Sequence, residues 1–187
     1  NCSLVLFIII SRMSRKIILE TNRLQLSEFQ INDSNFILKL VNSQNWIKYI
    51  GDRGITTIKD AENYLTNALI KSYSDLGYGL WLILVTETNT PIGMCGFLKR
   101  PYLDYSDIGF ALLSEYEGKG FAFEAVNATI RYGKKTLQLN PILAITKTEN
   151  KKSRNLLVKT GFTEKGNLLA NEDQPDVLVY SNSSVIT

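Results

Sequence analysis

The stretch YEGKGFAFEA, residues 116 to 125, sets two glycines around one lysine and then turns abruptly to helix-forming residues. It continues DIGFALLSEY, residues 107 to 116, whose apolar run reads as a buried strand. A strand that ends in a glycine-rich turn opening a helix aims several unpartnered main-chain N–H groups, and the positive end of the helix dipole, at one point. Such a point holds a phosphate or another small anion. Gly118 and Gly120 remove Cβ atoms that would hold that group away from the backbone. Taken alone, the two glycines serve equally well as a tight strand-to-helix turn. Two other phosphate loops are excluded. Position 123 is Phe where a dinucleotide fingerprint needs its third glycine, and GKKT at 133 to 136 has Ala128 where a Walker loop needs its first.

Past the turn, Ala122, Ala125, Val126, Thr129, Ile130 and Gly133 recur at helical spacing, with Glu124, Asn127, Arg131 and Lys134 on the outer face. The spacing predicts a helix over about 122–137. Upstream, the alternation in RLQLSEF, residues 23 to 29, predicts a first strand. Asp33 or Ser34 caps a helix carrying Phe36, Ile37, Leu40 and Val41 inward. Thr57 caps a second helix over about 58–73, with Ala61, Tyr64, Leu65, Ala68 and Leu69 as its buried stripe, and the 51–54 loop joins the two. GLWLILVTET and IGMCGFLKR flank an Asn-Thr-Pro turn and predict an antiparallel hairpin, which the strand at 107–113 extends. ILAITK, a short helix at 151–160 and strands near 162–169 and 177–181 complete the chain. A meander followed by alternating strands and helices predicts the α+β class, a mixed α/β sheet with helices on both faces.

No histidine occurs in the 187 residues, which excludes Ser-His-Asp, Cys-His and HExxH chemistry. A net charge of +3 is too small for a duplex-binding face and suits a small anionic ligand, so no nucleic acid partner is expected. Cys2 and Cys95 form no spaced framework, which fits a reducing, cytoplasmic location and supplies no activated thiol. The apolar run at 4–10 falls short of the roughly 20 residues that span a bilayer, so no membrane partner is expected. Met13 reads as a natural start; residues 1–12 are then an upstream or cloning-derived segment, or else an extra edge strand or anchor, and 13–187 form a single domain.

With these segments in place, EYEGKGFAFEA resembles the acetyl-CoA pyrophosphate loop of the GNAT superfamily of N-acetyltransferases. That loop has the core Q/R-x-x-G-x-G/A, met here by Glu117, Gly118, Lys119, Gly120, Phe121 and Ala122. The run is most similar to the RimJ/RimL-like branch, the ribosomal-protein N-terminal acetyltransferases. LETNRLQL, DIGFALL and ENKKSRNLLVKTGF agree in order, so the resemblance covers about 19–162. It implies a mixed, mostly antiparallel sheet splayed into a V between the fourth and fifth strands, with the cofactor's pantetheine in the cleft. It also implies acetyl-CoA, or CoA, as co-substrate, no metal, and direct transfer of acetyl to a primary amine of a protein N-terminus or small molecule. The alternative is a protein of the same fold that binds CoA or another phosphorylated ligand without turnover. A monomer and a homodimer are both compatible with it.

Carried over by position, the resemblance makes Phe110, Ala111 and Leu112 the main-chain partners of pantetheine, one N–H polarising the thioester carbonyl. Glu117, Gly118, Lys119, Gly120, Phe121, Ala122 and Phe123 become the diphosphate loop, and Asn150 and Ser153 further cofactor contacts. Lys119, and after it Lys151, Lys152 and Arg154, are the cations for the 3′-phosphate. Two departures stand out: Glu117 puts a carboxylate beside an anion site, its side chain expected in solvent, and Leu157 replaces a tyrosine general acid. The leaving thiolate is then protonated by Ser153, by water, or by nothing specific. Direct attack needs a neutral amine and a proton acceptor, for which Asp107 is the first choice, with Asp104 behind it. Trp46, Tyr49, Tyr78 and Trp81 are the expected acceptor-pocket aromatics.

Overall fold

The strands β1 (Ile17–Glu20) and β2 (Leu24–Ser27), the second with its two leucines at period two, open an eight-stranded sheet. It continues with β3 (Leu80–Val85), β4 (Thr90–Leu98), β5 (Asp107–Leu112), β6 (Leu143–Thr146), β7 (Thr163–Leu168) and β8 (Val177–Ser181). The spatial order is β1-β2-β3-β4-β5-β6-β8-β7, and every neighbouring pair is antiparallel except β5 with β6. The computed structural model describes residues 15–168 and 176–183; Met13 and the segment before it lie outside them. No helix among the described residues is long and apolar enough to cross a membrane.

Both faces of the sheet are covered, which is why β3 reads LWLILV without polar alternation. Trp81 and Ile83 enter one core beneath helix α5 (Phe121–Lys135) and helix α6 (Lys151–Lys159), with Ala125, Val126, Ile130 and Leu157. Leu80, Leu82 and Leu84 enter the other core, beneath α1 (Ser34–Val41), α2 (Gln44–Tyr49) and α3 (Ile58–Tyr64) with the turn that follows it, while α4 (Lys71–Leu76) buries no residue and packs its Tyr73 against the first core. The long hairpin, the strand that extends it and the helix after the glycine turn all stand where their periodicity places them.

Several local expectations are corrected. The strand β1 precedes the one expected first, so the V opens between the fifth and sixth strands of the sheet, the same two segments by sequence. Asp33 does not cap α1 with its side chain. Its carboxylate is taken by Arg15, at 2.7 Å to each oxygen, and by the Gln30 N–H at 2.8 Å. Thr57 does cap α3, accepting from Asp60 N–H at 3.1 Å. Between α3 and α4 the rod widens into a π-helical turn, Leu65–Ile70. The wider turn sets the inward positions four apart, at Ala61, Leu65 and Leu69, and leaves Ala68 exposed. The helix α2 carries too few apolar positions to show a period.

Gly133 marks the close approach of α5 to the sheet. A Cβ there would lie 2.4 Å from the Phe97 ring, which Trp81 and Tyr78 hold edge-on with centroids 6.0 and 6.1 Å away. In an open helix Gly to Ala is stabilising by about 1 kcal/mol. Here overpacking of ~1–3 kcal/mol opposes it. Gly133→Ala is expected to lower the denaturant midpoint, measured by urea unfolding, where an exposed helical glycine would raise it.

Candidate active site

After β5 the chain makes a 3-10 turn, Ser114–Tyr116, and then the glycine turn that opens α5. Gly118 and Gly120 both take left-handed conformations, φ +73° and +80°, which favour glycine. A Cβ on Gly118 would meet nothing within 4 Å, and one on Gly120 would come 3.3 Å from Arg23 Nη2. The glycines are therefore needed for backbone direction more than for space. Gly120 is the N-cap residue of α5, and no side chain caps the helix, so its first-turn N–H groups stay available.

The turn is fixed from behind by a residue the sequence reading left on an ordinary strand. Arg23 Nη1 donates to the Lys119 carbonyl at 3.1 Å, and the guanidinium lies over the Phe121 ring with Cζ 4.5 Å from its centroid. Because C=O and N–H of a trans peptide point oppositely, the Gly120 N–H is directed away from Arg23. Glu124, expected on the outer face, locks Arg23 in turn. Its carboxylate accepts from Arg23 Nε at 2.7 Å, Arg23 N–H at 2.9 Å and Thr21 Oγ1 at 2.6 Å. Burial pushes this carboxyl up, but the hydrogen bonds from Thr21 and Arg23 outweigh it and hold it below its ordinary value.

Beside the turn the sheet parts. β5 and β6 share one register pair, Asp107 with Leu143, marked by the Leu143 N–H donating to the Ser106 carbonyl at 3.0 Å. Main-chain groups alternate sides along a strand, so residues of the same parity as Ser106, namely Ile108, Phe110 and Leu112, turn theirs toward β6 and the gap. Ala111 turns its main chain to β4, where it pairs with Met94, and lends the cleft its side chain. Of the three residues expected along pantetheine, two therefore present N–H groups to it.

The cavity over the gap is lined by Trp46, Tyr49 and Ile50 from the α2 region, Arg53, Tyr64, Met94, Arg100, Asp107, Phe110, Asn150 and Ser153, among others. Asp107 is 1% exposed and receives both short contacts of Arg100 Nε, at 3.0 and 3.1 Å. Burial pushes its carboxyl above the ordinary value, with Arg100 opposing. Asp104 is exposed on the 99–106 loop and does not line the cavity. Asn150 Oδ1 accepts from the Ser153 N–H at 3.1 Å and caps α6, so both residues sit at the cleft wall.

Other expectations fail on packing. Tyr78 and Trp81 belong to the opposite face: Trp81 stacks edge-on with Phe97 and Tyr132, and the Tyr78 hydroxyl bonds Ser106 Oγ at 2.6 Å. Glu117 does not point to solvent; it accepts from Asn45 Nδ2 at 2.6 Å and pairs with Lys152 Nζ at 2.5 Å, tying the turn to α2 and α6. Lys152 is thereby occupied, and Arg154 is turned to Tyr180, Glu164 and the Thr148 carbonyl. Lys119 and Lys151 remain exposed. Leu157 is fully buried in the core and contributes nothing to the cleft. Cys95 is wholly buried, which pushes its thiol up to about 12 and leaves it inert. Arg53 and Arg100 escape sequence reading because they sit on loops without a motif.

A family model described as an acetyltransferase (GNAT) domain matches residues 23–163, and the chain belongs to that family. It is 32% identical over 153 residues to the uncharacterized N-acetyltransferase p20 of Bacillus licheniformis, covering 79% of this chain and 83% of that protein. A shorter match, 37% over 59 residues, is to the ribosomal protein uS5-alanine N-acetyltransferase of Escherichia coli K12, covering 32% and 30% of the two chains. Among solved structures, RimL, a ribosomal L7/L12 alpha-N-protein acetyltransferase in complex with coenzyme A, superposes with a TM-score of 0.75. Its identity is 19%, over 89% of this chain and 97% of that one.

The buried pair at the closed end of the V sets a pH-dependent stability. A carboxyl raised on folding stabilises below its ordinary value and loses that contribution as pH rises. Arg100→Ala enlarges the shift, so the deficit is expected to be small near pH 4 and to grow to about 3 kcal/mol at neutral pH, because Arg100 is only 29% exposed. Urea unfolding of both proteins across that range checks it.

Proposed function

We propose that the protein moves acetyl from acetyl-CoA directly to a primary amine, with a peptide N-terminus or a small-molecule amine as acceptor. The observation that carries this reading is the unpaired edge of β5, running into the open N-terminus of α5. Phe110 and Leu112 offer N–H and C=O groups at the spacing of an extra strand, matching the amides of pantetheine. The amides of 118–123 take the diphosphate and Lys119 meets the 3′-phosphate. The coenzyme A complex of RimL supports this placement, and the uS5-alanine acetyltransferase supports an amine at a protein terminus.

In the transfer the amine nitrogen attacks the thioester carbonyl, and a main-chain N–H of β5 stabilises the oxyanion, an effect typically worth about 3 kcal/mol. Asp107 accepts the amine proton; its raised carboxyl holds that proton better than an exposed aspartate would. The C–S bond breaks and the thiolate leaves, taking a proton that the Ser153 hydroxyl at the cleft wall relays from water.

Calorimetry with acetyl-CoA, together with thiol release in the presence of an amine panel, tests this. Gly120→Val, which forces a branched residue into the left-handed region, is expected to weaken CoA binding by about tenfold or more with the fold retained. Asp107→Asn is expected to lower kcat roughly 100-fold while leaving CoA affinity within about threefold. Binding with no thiol release from any acceptor would reduce the protein to a CoA carrier.

A further inference from the structure

On the α2 side of the cleft, donor-bearing side chains, Trp46, Arg53 and Tyr64, stand among apolar ones such as Ile50, Leu80 and Met94. Trp46 is 4% exposed, yet its indole Nε1–H has no hydrogen-bond partner among the described residues, and it lines the same cavity as Asp107 and Phe110. A buried donor left unpaired costs about 1–3 kcal/mol, a cost relieved when an acceptor atom arrives. Next to it stands Arg53, an exposed residue whose Cζ lies 5.8 Å from the Trp46 ring centroid and 5.4 Å from that of Tyr64. No hydrogen bond or carboxylate engages the five N–H donors of Arg53 among the described residues.

Arg100 completes the set. Its Nε is engaged by Asp107 and its Nη1 by the Tyr102 hydroxyl at 3.3 Å, leaving Nη2 without a partner among the described residues. Burial pushes the Tyr64 phenol up, while both Arg53 and Arg100 pull it back, so the two guanidinium charges converge on one wall. Among the described residues that line the cavity Asp107 is the single carboxylate, and since Arg100 is already paired with it, the charge of Arg53 is left in excess. A polyamine would carry its second cation onto this wall.

We propose that the acceptor amine carries an anionic oxygen group a few bonds away, which Trp46 Nε1 and Arg53 receive while the amine faces Asp107 and the thioester. This deepens the acetyltransferase reading and rests on it. The anion comes either from the carboxylate of a free amino acid or from an acidic side chain next to a peptide N-terminus.

The test compares free L-amino acids, their carboxamides, short peptides with Asp or Lys in second place, and spermidine, following thiol release from acetyl-CoA. Carboxylate-bearing acceptors are expected to exceed their neutral or cationic counterparts by about tenfold or more in kcat/KM. Whether the free acids or the Asp peptides lead identifies the source of the anion. Arg53→Gln is expected to erase the preference through acceptor KM with acetyl-CoA KM unmoved, Arg53→Lys to restore part of it, and Trp46→Phe to weaken it. Equal or better turnover of spermidine or the carboxamides, or a preference that survives both Arg53→Gln and Trp46→Phe, would overturn the proposal and leave the acetyltransferase reading intact. A second readout needs no turnover. In the CoA-saturated protein the Trp46 indole N–H resonance, identified by its loss in Trp46→Phe, is expected to move on adding the same carboxylates. An immobile resonance counts against the proposal, whereas absence of CoA binding counts against the acetyltransferase reading.

Discussion

The molecule depends on two parallel strands that separate after one pair. β5 is satisfied along its outer edge by six partners in β4, and β6 by four in β8, so only their inner edges lose hydrogen bonds when they diverge. Unpaired main-chain groups in an apolar gap are costly unless something completes them. A ligand built as a chain of amides would complete them better than water or side chains, which is the physical basis of the cofactor placement proposed above.

Around that opening the charges are arranged in pairs that each restrain an element. Arg23 and Glu124 hold the glycine turn from behind, Glu117 ties its front to α2 and α6, and Arg100 holds Asp107 at the closed end of the V. Arg53 differs in having aromatic faces and no anion beside it among the described residues.

The architecture was legible wherever periodicity and turn chemistry act locally. β3, β4, β5, α5 and the glycine turn follow from alternation, helical spacing and the demand for left-handed residues at 118 and 120. What depends on distant partners was not. Nothing near Glu117 in the sequence announces Asn45 or Lys152, and nothing near Asp33 announces Arg15. Trp81 and Trp46 are equally aromatic, and only the pleat of β3 and the position of α2 send one to the closed core and the other to the cleft. The π-helical turn likewise lies in an unremarkable run of helix formers, and it shifts the inward face by one position at Ala68.

The clasp between Arg23 and Glu124 joins residues 101 apart in sequence. During synthesis the first strands emerge long before the helix that bears Glu124, so this corner waits unfinished while the hairpin and early helices assemble locally. Loop closure over such a span comes late in folding. The glycine-turn corner is thus among the last parts to acquire its shape, and the cofactor site proposed for it would be complete only once nearly the whole sheet exists.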